Sequence, residues 1–147
     1  MKALIQRVSQ ASVTVGGEQV GAIGRGVLVL LGLDKGDDRG VADKMLDKLL
    51  AYRVFGDDQG KMNCSVADVS GGILLVSQFT LSADTRKGLR PSFSSALPPA
   101  EAQALYDYTL SELSAKHDSV AAGVFGADMQ VSLVNDGPVT FLLELTS

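Results

Sequence analysis

The sequence has few of the residues on which several classes of protein depend. It contains one cysteine, Cys64, and one histidine, His117, among 147 residues. One cysteine excludes an internal disulfide and a zinc site made of several thiolates, as expected in a reducing compartment. No run of roughly 18 apolar residues occurs, so we expect no membrane-spanning helix. The opening segment MKALIQRVSQ lacks the apolar core of a signal peptide, and we expect a cytoplasmic protein.

Positive charge is also scarce. The 13 lysine and arginine residues are outnumbered by 17 acidic residues, and the net charge is −4. Because broad nucleic-acid binding depends on neutralising many phosphates, this balance argues against general DNA binding. One local basic site remains in the segment ADTRKGLRPSF, which contains Arg86, Lys87 and Arg90. Charge alone favours a solvated loop here, and the functional alternative is contact with a few phosphates.

Apolar residues are abundant and fall in short runs. The composition is 46% hydrophobic and 20% charged, which is typical of a globular chain, and residues 1–147 fit one domain. Alternating or continuous apolar runs predict strands at 2–9, 12–15, 18–24, 26–33, 71–83, 120–125, 129–134 and 139–145. Helical spacing predicts helices over 38–52 and 99–116. We therefore predict an α+β fold in which mostly antiparallel strands curl into a barrel-like core beside two helices.

Polar residues interrupt two of these apolar runs. Ser77-Gln78-Phe79-Thr80 lies near the end of a buried strand, where each unpaired polar group would cost about 1–3 kcal/mol. These groups either bond nearby loop backbone or line the floor of a pocket. Near the C-terminus, Asn135-Asp136-Gly137 predicts a hairpin turn between two strands. The following Pro138 has no N–H to donate to a strand partner. An ordinary hairpin does not require a proline at this position.

No acid–base pair accompanies these polar residues. A serine or threonine nucleophile normally needs a base, and His117 lies at the end of a charged helix, where we expect it to cap carbonyls or face solvent. No set of metal ligands is recognisable, so we expect neither a metal nor another cofactor. An enzyme built this way needs an activated substrate such as an ester, together with positioning and oxyanion stabilisation.

The chain resembles the D-aminoacyl-tRNA deacylase family over essentially its whole length. The resemblance rests on QRVSQASVTV at 6–15, VSQFTL at 76–81, DTRKGLRPSF at 84–93 and FGADMQVSLVNDGPVT at 125–140. It implies a homodimer with active sites at the interface, which hydrolyses the ester between a D-amino acid and the 3′ end of tRNA. From the short apolar runs and the net negative charge, we expect no membrane partner and no DNA partner. The resemblance also implies a cis peptide bond between Gly137 and Pro138, with this pair reaching into the partner's active site.

A backbone wall explains how such an enzyme selects D residues. If the ammonium, carbonyl carbon and ester oxygen are fixed, D and L isomers differ only by exchanging the α-hydrogen and the side chain. A rigid Gly137-Pro138 wall at the position of the L side chain rejects every L residue by steric clash. Glycine has no side chain, so the same wall predicts cleavage of glycyl-tRNA, including tRNA(Ala) mischarged with glycine.

The resemblance implies catalytic and substrate-binding roles for further residues. Ser77, Gln78, Phe79 and Thr80 form the expected catalytic floor, with backbone N–H groups near Phe79 and Thr80 as oxyanion donors. Thr80 is the candidate nucleophile by residue type, ranked below water assisted by the ribose 2′-hydroxyl. The remaining expectations place Ala102 and Phe125 at the adenine, Met129 beside the Gly-Pro pair, Arg7 on the Gly-Pro carbonyls, and Arg86, Lys87 and Arg90 on tRNA phosphates.

Simpler interpretations stay open for several of these residues. Ala102 and Phe125 also suit plain core packing, and Arg7 suits a surface salt bridge. For the whole chain, one alternative is a non-catalytic dimeric module that binds the aminoacylated tRNA end. A weaker alternative is a general esterase that uses Thr80.

Overall fold

The structure, a computed structural model, describes residues 1–147 and contains eight strands and two α-helices. The strands are Lys2–Val15 (β1), Glu18–Ile23 (β2), Gly26–Gly32 (β3), Phe55–Gly56 (β4), Met62–Cys64 (β5), Gly72–Ser77 (β6), Val120–Ala122 (β7) and Gln130–Glu144 (β8). The helices are Arg39–Ala51 (α1) and Pro99–Lys116 (α2), and a 3₁₀ turn spans Phe79–Ser82. Neither helix is long and apolar enough to cross a membrane.

Both helices lie where the sequence predicts them, because local signals fix where they begin. The Asp38 carboxylate accepts the Val41 N–H at 3.0 Å and caps the start of α1. Helix α2 begins with Pro99, a residue that favours the first helical position because its missing N–H is not needed there. At the end of α2, the His117 Nε2 lies 2.7 Å from the Gly71 carbonyl oxygen.

The main sheet is organised around β1. This strand pairs antiparallel with β2, β3 and β8, while β3 with β6 and β6 with β7 form parallel pairs. Parallel neighbours need a crossover, and α1 and α2 lie within the two crossovers. Strand β2 approaches β7 so closely that a Cβ on Gly21 would lie 2.5 Å from the Ala122 carbonyl oxygen. The predicted α+β fold with a barrel-like sheet is confirmed, with two parallel pairs that the sequence pattern did not reveal.

Strand β3 is buried on both faces, as its continuous apolar run predicts. Val27 and Val29 belong to the main core between the sheet and the helices. Leu28 packs on the opposite face, in a smaller cluster with Leu74 and Val76. The two clusters fix the positions of β3 and β6, and the candidate site lies where these two strands end.

The predicted hairpin at residues 135–137 is wrong. Strand β8 continues through this segment and pairs with β1 on both sides of it. Gln6 pairs with Thr140 and Val8 with Asn135, so residues 136–139 loop out opposite Arg7 alone. The segment is therefore a bulge of four residues opposite one, in which the lack of an N–H on Pro138 costs no ladder bond.

Three other boundaries also differ from the prediction. The predicted strands at 2–9 and 12–15 are one strand, because β8 pairs with β1 along both halves. The predicted strand at 71–83 ends at Ser77, where the chain turns into the 3₁₀ segment. Strand β7 ends at Ala122, three residues before the predicted end.

Candidate active site

A cavity of about 590 Å³ opens where β3 and β6 end, beside the N-terminus of α2. Its volume lies in the range of small-molecule sites, and most of its lining is hydrophobic. Ligands commonly bind outside the carboxyl ends of parallel strands, which is the position of this cavity. Six of the predicted site residues line it, namely Ser77, Gln78, Phe79, Ala102, Phe125 and Met129.

The floor of the cavity is the segment that leaves β6. The Gln78 N–H donates to the Leu31 carbonyl at 2.8 Å, which fixes the start of the segment against β3. The side-chain amide of Gln78 donates to the Thr80 hydroxyl. No side chain caps the 3₁₀ turn that follows, and the first N–H groups of a helix have no partner within it. The turn therefore presents backbone donors near Phe79 and Thr80.

Two phenylalanines flank the floor. The Phe79 side chain is 64% exposed, and its ring centroid lies 5.0 Å from that of Phe93. The sequence analysis did not predict Phe93, because the basic residues of the same segment indicated phosphate binding. Phe93 could have been recognised as an aromatic residue that lies within a loop and not within an apolar run, which is an unusual place for a core side chain.

The opposite wall packs against α2 and against the segment that follows β7. The Phe125 ring centroid lies 5.8 Å from that of Tyr106, whose hydroxyl donates to the Leu75 carbonyl at 2.9 Å. Burial, together with the nearby Asp107 carboxylate, raises the pKa of Tyr106 to about 12, so this donor keeps its proton at neutral pH. Met129 is packed just as closely, since a Cβ on Gly123 would lie 2.6 Å from its sulfur.

The cavity contains no histidine and a single carboxylate. Asp128 is the single ionisable residue among those that line it, and Thr80 is not one of the lining residues. His117 lines a separate cavity of about 170 Å³. Nowhere in the chain do three His, Cys, Asp or Glu side chains come together to hold a metal ion.

The three basic residues Arg86, Lys87 and Arg90 do not line the cavity. The Arg86 guanidinium forms a two-point ion pair with Asp84, at 3.0 and 2.8 Å. These hydrogen bonds lower the pKa of Asp84 to about 2. Lys87 and Arg90 are exposed and form no ion pair within the chain. Of the three residues predicted to contact phosphates, Lys87 and Arg90 are therefore the two whose charges are not paired within the chain.

Gly137 and Pro138 also lie away from the cavity of their own chain. The bond between them is cis, as the family resemblance implies, and both residues are exposed in the bulge of β8. Arg7, which does not line the cavity either, donates from Nε to the Asp136 carbonyl at 3.0 Å. It thus contacts the residue before the pair instead of the Gly137 or Pro138 carbonyl.

Comparison with known proteins identifies relatives over the whole chain. The family model described as D-Tyr-tRNA(Tyr) deacylase matches residues 4–144. A D-aminoacyl-tRNA deacylase from Stutzerimonas stutzeri (strain A1501) is 67% identical over 144 residues, which cover 98% of this chain and 99% of that one. A solved structure of a c-Myc DNA unwinding element binding protein has a TM-score of 0.96 and 47% identity over 100% of both chains. Another, described as a probable eukaryotic D-amino acid tRNA deacylase, has a TM-score of 0.84 and 18% identity over 98% of both chains, a likeness of fold alone.

Proposed function

The chain belongs to the D-Tyr-tRNA(Tyr) deacylase family, and on this basis we propose that it hydrolyses the ester bond of D-aminoacyl-tRNA. The products are the free D-amino acid and tRNA. The observation that carries the proposal is that Ser77, Gln78 and Phe79 line the same cavity as Ala102, Phe125 and Met129. An aromatic wall of this kind suits a terminal adenine, and the floor suits the ester beside it.

The chemistry needs little beyond positioning. Water attacks the ester carbonyl carbon, and the bond from that carbon to the ribose 3′ oxygen breaks. One proton of the water ends on the 3′ hydroxyl and the other passes to solvent as the amino acid leaves as a carboxylate. Backbone N–H groups near Phe79 and Thr80 stabilise the oxyanion, a contribution of about 3 kcal/mol per donor in other hydrolases. The 2′-hydroxyl of the terminal ribose assists the water.

Selection of D residues is assigned to Gly137 and Pro138 of a second copy of the chain. The pair is exposed and does not line the cavity of its own chain, so a wall made by it has to come from a partner. Strand β8 supports a dimer because it is paired on one side only, with β1. Val134 and Leu142, both on this strand, are 48% and 46% exposed and suit burial against a partner.

Transfer RNA is favoured over DNA as the nucleic-acid partner. One related structure is named for a DNA element, but a chain of net charge −4 has few cations with which to neutralise a duplex. Lys87 and Arg90 suffice for contact with a few acceptor-stem phosphates. The bulk of recognition then comes from the terminal adenosine and the aminoacyl ester.

A binding module is the second candidate, favoured by the absence of an acid–base pair from the cavity, where Asp128 is the single ionisable residue. The deciding experiment incubates the purified protein with D-tyrosyl-tRNA, L-tyrosyl-tRNA and glycyl-tRNA side by side. We expect rapid loss of the D-tyrosyl and glycyl esters, including glycine on tRNA(Ala), while the L-tyrosyl ester is spared. Protection of all three esters would instead establish the binding module. Equal cleavage of D and L esters would support hydrolysis but contradict steric selection by Gly137 and Pro138.

A further inference from the structure

We propose that Gly32, the last residue of β3, is a positioning residue for the turn that carries Phe79 and Thr80. This inference rests on the proposed function, because it concerns how the backbone donors of that turn are held. Gly32 does not line the cavity. It acts by allowing the turn to lie against the end of β3.

The space around Gly32 leaves no room for a side chain. A Cβ placed on it would lie 2.8 Å from the Cβ of Leu81, a separation that real Cβ atoms do not show. It would also lie 3.3 Å from the Gln78 carbonyl oxygen and 3.3 Å from the Ser82 Oγ. The backbone of Gly32 has no left-handed φ. Glycine is therefore required here for close approach rather than for an unusual conformation.

The residues on either side of Gly32 bond to the two ends of the same turn. The Leu31 carbonyl accepts the Gln78 N–H at 2.8 Å, just before the turn. The Leu33 carbonyl accepts the Ser82 hydroxyl at 3.2 Å, at the last residue of the turn. Ser82 is 2% exposed, so its hydroxyl has no ready replacement partner in solvent. Leu31 and Leu33 thus hold the turn at its two ends, and Gly32 between them leaves room for it.

A methyl group on Gly32 has to displace the turn, because Leu81 cannot move its Cβ without moving its backbone. Catalysis by positioned donors is sensitive to such shifts, and a displacement of about 1 Å can cost about 100-fold in rate. For Gly32→Ala we expect kcat to fall at least about tenfold while KM changes less than about twofold. KM is spared because Ala102 and Phe125, the expected adenine contacts, lie on other segments.

The experiment compares Gly32→Ala with Gly24→Ala and Gly56→Ala. Both control positions have open space around the added Cβ and no left-handed φ. Deacylation of D-tyrosyl-tRNA gives kcat and KM, and NMR of the labelled protein gives the amide chemical shifts of Phe79 and Thr80. Ser82→Ala, which removes the bond to Leu33, is the second variant and carries the same test if Gly32→Ala does not fold.

Loss of kcat with shifted Phe79 and Thr80 amides in Gly32→Ala or Ser82→Ala, and in neither control, supports the proposal. Unchanged kcat in folded variants overturns it, and so does a rise in KM at constant kcat. If the unaltered protein leaves D-tyrosyl-tRNA intact while the amides still shift, the positioning holds and the proposed function fails. If the amides do not shift, the positioning itself is wrong.

Discussion

The Nε of Arg7 donates a hydrogen bond to the carbonyl oxygen of Asp136 at 3.0 Å, between β1 and β8. Arg7 is the one residue of β1 opposite the four looped-out residues 136–139. Its Nη1 donates to the Val54 carbonyl at 2.8 Å, so a single guanidinium connects the bulge to the segment after α1. The planar guanidinium of arginine has donors in fixed directions and can bond both carbonyls at once. The ammonium of lysine lacks this fixed geometry.

Replacing Arg7 by lysine should therefore loosen the bulge while keeping the charge. We expect the ratio of D-tyrosyl-tRNA to L-tyrosyl-tRNA cleavage to fall about tenfold, the equivalent of one hydrogen bond to a charged group. Initial rates on the two esters measure it. Arg53→Lys is the matched control, because Arg53 is exposed beside Val54 and makes no hydrogen bond. An unchanged ratio in Arg7→Lys would show that Arg7 does not contribute to chiral selection.

The sequence predicts well the features that depend on neighbouring residues. The helices predicted over 38–52 and 99–116 begin close to the predicted residues, because Asp38 and Pro99 act within one helical turn. The Asn135-Asp136-Gly137 turn signal is also local, but the pairing of β8 with β1 overrides it. That pairing joins residues 116 (Thr14 with Gln130) to 142 (Lys2 with Glu144) positions apart, and no local pattern reports it.

The residues of the cavity also differ in how well the sequence predicts them. The polar interruption at Ser77 and Gln78 is visible in the sequence because it breaks an apolar run. Phe93 is unusual as an aromatic residue in a loop, but no local pattern places either Phe93 or Asp128 in the site. They join it only when the loop after the 3₁₀ turn and the segment before β8 fold over the same strand ends. The family resemblance supplied Ala102 and Phe125, whose apolar character alone does not distinguish a pocket wall from core.

Ala102 offers a direct test of the adenine pocket. It is buried and lines the cavity from the first turn of α2. Ala102→Leu adds three carbon atoms at this wall, and we expect KM for D-tyrosyl-tRNA to rise about tenfold as the larger side chain occupies ligand space. The control is Ala104→Leu, on the exposed face of the same helix. Equal KM values for the two variants would assign Ala102 to packing alone.

Thr80 separates hydrolysis by water from a threonine esterase. Its hydroxyl accepts from the Gln78 amide and has no base beside it, which is a poor arrangement for a nucleophile. We expect Thr80→Ala to keep kcat within about tenfold of the unaltered protein, because backbone donors survive the substitution. Thr85→Ala, in the exposed loop that follows, is the control. Abolished turnover in Thr80→Ala, together with cleavage of small aryl esters by the unaltered protein, would favour the esterase.

Acid stability should depend on Asp34, which follows β3 and binds the α-ammonium of Met1 at 3.2 Å and Lys2 Nζ at 2.9 Å. Burial alone raises the pKa of Asp34, but the nearby Ser82 hydroxyl and these two cations outweigh it and lower the pKa below 3.8. A lowered folded-state pKa stabilises the fold above the unfolded-state value and loses that contribution as the pH falls through the folded value. We expect Asp34→Asn to cost about 1 kcal/mol at pH 7, after allowance for solvent screening, with the difference shrinking below about pH 4. Urea unfolding across this range measures it, with the exposed Asp58→Asn as control; a cost that persists at pH 2 would show that the carboxylate charge is not its source.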